Sequence, residues 1–169
     1  MLRILVVLLL LPLTFLSPAL ANTKIAVLPF DIRDAAMEGD PFALPKEEDL
    51  ARLRLVADEL KALMTASGQY RVVDLAAYAS EIEKASPFYK CDGCEMEIAR
   101  PAGADLALTG FVDKVTDALM SLQIFVRDVA TGEMRQTMSA EIRGNTDESW
   151  LHGIRYLWKN RLAPEAGKK

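Results

Sequence analysis

Residues 1–21 set the terms for the rest of the chain. Met1-Leu2-Arg3 is a short positive start, and Ile4 to Leu16 is almost wholly apolar. Ser17-Pro18-Ala19-Leu20-Ala21 then ends in the small-x-small pattern that a signal peptidase cuts after. This is the pattern of an export signal, so the stretch is expected to be removed after Ala21 and to take no part in the fold. It is too short to span a bilayer, which takes roughly 20 consecutive apolar residues. Asp or Glu interrupts every later apolar run, and no cysteine follows the cut to carry a lipid anchor. The expected destination is the periplasm, where thiols oxidise and two cysteines act as partners.

Removing 21 of the 169 residues leaves 148, enough for one domain that buries roughly two thirds of its unfolded surface. A single secreted domain is expected over 22–164, with a small, basic, disordered tail over 165–169. Losing Arg3 takes the formal net charge from −4 to −5. That balance lacks the basic footprint of a nucleic-acid binder and gives no reason for adhesion to anionic lipid.

The periodicities predict an α/β (α+β) domain: a mixed sheet of about five strands with helices packed on it, in the order β-α-β-α-(α)-β-β-β-α. A first strand runs from Lys24 and ends at Pro29, which cannot donate to a ladder. Asp31 to Pro45 reads as a long loop with a turn at Gly39-Asp40-Pro41. Lys46 to Ser67 is the clearest helix. Leu50, Leu53, Val56, Ala57, Leu60, Leu63 and Met64 share one face, and Glu47, Glu48 and Asp49 fill the first turn. A short strand at Tyr70–Asp74 and a helix at Leu75–Ala85 follow, then an irregular cysteine segment and a short helix at Glu95–Arg100. Strands are predicted at Asp105–Lys114, Leu119–Asp128 and Met134–Arg143, with a hairpin turn at Ala130–Glu133. The last helix opens near Thr146 with Asn145 and Glu148 at capping-box spacing, and its stripe carries Trp150 and Trp158. The early βαβ unit should be parallel and right-handed, the later strands a meander.

Cys91-Asp92-Gly93-Cys94 is the sharpest local motif. A c-type haem site needs His after the second cysteine, where Glu95 stands. A structural zinc site needs four ligands, and two cysteines with the lone His152 fall short. A thiol–disulfide oxidoreductase places the first cysteine at a helix start directly after a strand, whereas Ser86 to Lys90 precedes it here. The favoured reading is a local structural disulfide between Cys91 and Cys94. Phe88 and Tyr89, in that pinned loop, are candidate partner contacts, the alternative being that they cover the sheet. Asp31, Asp34, Glu38 and Asp40 cluster after the first strand and are a candidate cation or ligand loop, without EF-hand spacing. No Ser-His-Asp or Cys-His constellation and no glycine-rich phosphate loop is visible, so no catalytic residue, metal site or cofactor is assigned.

Cys91-Asp92-Gly93-Cys94, Ile98-Ala99-Arg100, Gly103-Ala104-Asp105, Val126-Arg127-Asp128 and the stretch Arg143 to Trp150 together resemble an uncharacterised secreted bacterial family, DUF2380/DUF3280. The opening Ile25 to Phe30 is similar as well. More distantly the chain resembles the amino-terminal domain of TolB, which implies a mixed sheet with helices, used for docking envelope partners. The leading functional expectation is a non-enzymatic periplasmic accessory or protein-interaction domain that meets another envelope protein. The second is a small-ligand or metal-ion binder using the 31–40 loop. The third is an oxidoreductase acting through Cys91 and Cys94.

Overall fold

The computed structural model describes residues 22–40 and 43–163. The export signal, Pro41 and the 165–169 tail lie outside the described residues. The elements run β1 (Thr23–Val27), β2 (Asp31–Asp34), α1 (Glu47–Ala66), β3 (Tyr70–Val72), α2 (Ala79–Ala85), α3 (Glu95–Ala99), β4 (Leu106–Thr116), β5 (Leu119–Asp128), β6 (Met134–Ile142) and α4 (Asp147–Leu157). The sheet has the order β3-β1-β4-β5-β6; β3, β1 and β4 are parallel, and β4, β5 and β6 form an antiparallel meander. The expected α/β class and mixed sheet are what the chain adopts.

One strand departs from the sequence expectation. Asp31–Asp34, expected to be loop, pairs in parallel with Phe111–Lys114, while β1 pairs with Leu106–Leu108 of the same strand. β1 and β2 therefore lie end to end along one edge of β4, parted at Pro29-Phe30. Pro29 breaks the ladder because it has no N–H to give. The Phe30 ring fills the gap by packing on Gly110, where a Cβ would lie 2.9 Å from that ring.

The two sheet faces are covered unequally. On the first face, Ile25, Val27, Leu108, Val112, Leu122, Ile124 and Val126 meet Leu53, Val56, Leu60 and Met64 of α1 and Trp150, Ile154 and Leu157 of α4. Trp150 is fully buried, whereas Trp158 is half-buried with its ring edge against Tyr70. On the second face, Ala26, Leu28 and Ala107 meet Phe88, Met96, Ile98 and Ala99. That smaller layer, built from α2, α3 and the turns between them, stands over β1 and the start of β4. The outward residues of β5 and β6 on this face stay half-exposed or exposed.

The cap of α4 also differs from expectation. Thr146, one position after Asn145, accepts from Ser149 N, and the Ser149 hydroxyl accepts from Thr146 N, a reciprocal capping box. Glu148 is not the partner. Asn145 is left to serve a buried network described below.

Candidate functional site

The open half of the second face holds a groove. Strand alternation places Thr109, Phe111 and Asp113 of β4 and Gln123, Phe125 and Arg127 of β5 on this side. Phe111 and Phe125 lie nearly parallel, with ring centroids 6.0 Å apart and 11° between planes. Tyr89 tilts onto Phe111 from the facing turn at 5.3 Å. The Arg33 guanidinium sits 5.4 Å over the Phe111 ring, and Lys90 lies 5.9 Å from the Tyr89 ring. Between Tyr89, Phe111, Phe125, Arg127 and Met134 is a cavity of about 200 Å³. Pockets for drug-sized ligands run to roughly 300–1,000 Å³, so this one suits a single large side chain.

Each guanidinium bordering the groove is already neutralised. Arg33 binds Asp113 through two nitrogens, with Nε donating at 2.9 Å, which holds the Asp113 carboxyl below its usual range. Arg127 Nε donates to Glu95 at 2.8 Å, one Nη to Asp92 at 2.8 Å and the other to the Gly132 carbonyl at 2.8 Å. Burial works against the Arg127 charge, but these carboxylates outweigh it and its pKa is raised. Asp31 is the exception. Its carboxylate accepts from Phe88 N at 2.6 Å, and burial pushes its pKa up to about 6 against the opposing pull of that bond.

The residues singled out from sequence separate here. Cys91, on the groove wall, is joined to Cys94 in a disulfide. Tyr89 and Phe88 both line the groove, but Phe88 is only 4% exposed and packs mainly into the second-face core. The acidic loop does not form one site. Asp31 and Arg33 point to the second face, while Ile32 and Asp34 point to the first, where Asp34 lies 3.5 Å from Lys114. Glu38 and Asp40 follow the 3-10 turn Ala35–Met37 and are exposed. Among the described residues, the group of three metal-ligating side chains within 4.8 Å of one another is Cys91, Cys94 and Glu95. His152 is exposed on α4.

Sequence reasoning missed the buried charge at the other face. Lys114 Nζ lies 2.6 Å from Asp49, 2.8 Å from Asp117 and 3.5 Å from Asp34, with 4% of its side chain exposed. Asn145 donates to Asp49 at 2.8 Å and accepts from the Trp150 indole at 3.0 Å, while Arg52 bridges Asp49, Asn145 and Asp147. Burial disfavours both charges, yet the hydrogen bonds raise the Lys114 pKa and lower that of Asp49. Among the described residues no buried side-chain nitrogen or oxygen lacks a partner. With its groups satisfied by one another, the cluster is a clasp joining β2, α1, β4 and the start of α4. Its signal was strand parity: Lys114 shares the inward side of β4 with Leu108 and Val112.

Comparison with known proteins gives a family and a fold. DUF3280, described as a protein of unknown function (DUF2380), matches residues 23–162. No curated protein matches the sequence. Lipoprotein GNA1162 from Neisseria meningitidis superposes with a TM-score of 0.52 at 16% identity, over 86% of this chain and 99% of that one. LpoB from Escherichia coli gives 0.50 at 13% identity, over 73% of this chain and 58% of that one. TolB from Acinetobacter baumannii gives 0.44 at 12% identity, over 82% and 28%. At such identities the first two show a shared fold.

Proposed function

The chain belongs to the DUF3280 family of proteins of unknown function, and from that premise we propose that it is a non-enzymatic docking module for another envelope protein. One observation carries this reading: the second sheet face is half covered and presents a side-chain-sized groove of stacked rings. Buried aromatic anchors entering such pockets supply most of the energy of protein interfaces. The bordering arginines are held by carboxylates, so the groove offers ring faces and no unpaired guanidinium. Its occupant is accordingly an apolar or aromatic side chain of a partner. The export-signal pattern of residues 1–21 and the Cys91–Cys94 bond support a periplasmic address. A fold shared with a lipoprotein accords with it.

The test is site-specific photo-crosslinking in the producing cell. Thr137 is exposed and sits opposite Phe125 on β6; Lys61 lies on α1 at the other side of the sheet. A crosslinker at Thr137 should give a discrete protein adduct, one at Lys61 should not, and Phe125→Ser should abolish the Thr137 adduct. No adduct from Thr137, or one that survives Phe125→Ser unchanged, would overturn the proposal.

A further inference from the structure

We propose that reduction of the Cys91–Cys94 bond turns the groove wall into a binding site for a thiophilic d10 cation of the Zn2+ class, with Cys91, Cys94 and Glu95 as ligands. Both sulfurs and a Glu95 carboxylate oxygen already lie within 4.8 Å of one another. Counting only cysteine and histidine leaves the site short. The missing donor is a buried carboxylate one residue past the motif.

The geometry suits tetrahedral coordination. Zn–S bonds of about 2.3 Å set the two sulfurs roughly 3.8 Å apart. The Cα atoms are 5.9 Å apart, so side-chain rotation reaches that spacing. Gly93, at φ 88°, makes the turn between the cysteines. Glu95 is held in place because Arg127 Nε donates to its Oε1 at 2.8 Å. A ligating carboxylate oriented by an outer hydrogen bond is the usual arrangement. The thiolates neutralise the dication, and Arg127 already balances Glu95. Cys91 lines the groove, so a fourth position opens to water.

A dithiol supplies two electrons and two protons to the Cys91–Cys94 bond and leaves as its own disulfide. The two thiols formed then lose their protons as Zn2+ binds. The full mature chain, reduced with a phosphine and titrated with Zn2+ against a chromophoric chelator, should bind one ion; the oxidised chain should bind none. Glu95→Gln should bind at least tenfold more weakly while keeping its circular dichroism. Zinc-edge X-ray absorption on the reduced wild-type chain should show two sulfur and two lighter neighbours, a readout that needs no variant. No stoichiometric binding after reduction, equal affinity in Glu95→Gln, or a shell lacking either sulfur or oxygen would overturn the site.

Discussion

Lys114 and Asp31 show how much single residues weigh here, and in opposite senses. Lys114 is a cation inside an apolar face, tolerable because Asp49 and Asp117 are within 2.8 Å. Removing one partner of a buried ion pair strands the other, at about 3–5 kcal/mol. Lys114→Met is therefore expected to lower the unfolding free energy in urea by about 3 kcal/mol or more. An effect below about 1 kcal/mol would show that the clasp is not what joins α1 to the sheet. Asp31 works the other way. Its pKa rises from 3.8 to about 6 on folding, so the native state binds a proton that the unfolded chain has released. Stability then falls as pH rises between roughly 4 and 6, and at neutral pH the ionised carboxylate costs on the order of 3 kcal/mol. Asp31→Asn, which still accepts from Phe88 N, should be more stable than wild type at pH 7.5 and about equal at pH 4. Urea titrations at the two values decide it. Neither role was visible in composition. Alternation along the predicted Asp105–Lys114 strand puts Lys114 inward, whereas it splits Asp31 from Asp34 only once Asp31–Asp34 is known to be a strand.

At the scale of elements, long periodic segments were legible and short polar ones were not. α1 and the β5–β6 hairpin carry their own signal, because seven apolar positions share one face of α1 and four alternate along β5. β2 is four residues, Asp31-Ile32-Arg33-Asp34, with a single apolar side chain. Its pairing is decided by β4, eighty residues away, and no local pattern contains that information. The α4 cap is a subtler case, since Asn145 and Thr146 are both good caps and only the engagement of Asn145 with Asp49 and Trp150 selects Thr146. Two substitutions separate the alternatives. Thr146→Ala should cost about 1 kcal/mol in a thermal or urea melt, the usual value for a lost cap, whereas Glu148→Ala should be nearly neutral. Equal losses would restore Glu148 as the capping partner.

The whole molecule is two apolar clusters on opposite faces of one sheet, and their sizes differ greatly. The first joins α1, α4 and five strands. The second holds nine buried side chains under α2, α3 and the turn between them. The sequence predicts helices packed on a mixed sheet but not how they divide between its faces, because coverage depends on where the 75–104 segment lands. Cooperative units with few buried contacts open first, so the second layer should unfold locally while the meander stays paired. The Cys91–Cys94 bond lies wholly inside that layer. Closing a four-residue loop contributes only about 2 kcal/mol in the chain-entropy description. Cys91→Ser with Cys94→Ser should therefore leave a folded protein with a modestly lower melting temperature. Native-state hydrogen exchange gives the sharper reading. Amides closing α3, such as that of its C-cap Arg100 on Met96 O, should exchange up to about thirtyfold faster in the variant. Amides of β5 whose exchange needs only fluctuations of the meander should keep their rates, since the first cluster has no atom in the cysteine loop. Uniform acceleration across β5 and α3 would mean that the sheet and both its layers unfold as one unit. In that case the groove is as rigid as the core beneath it.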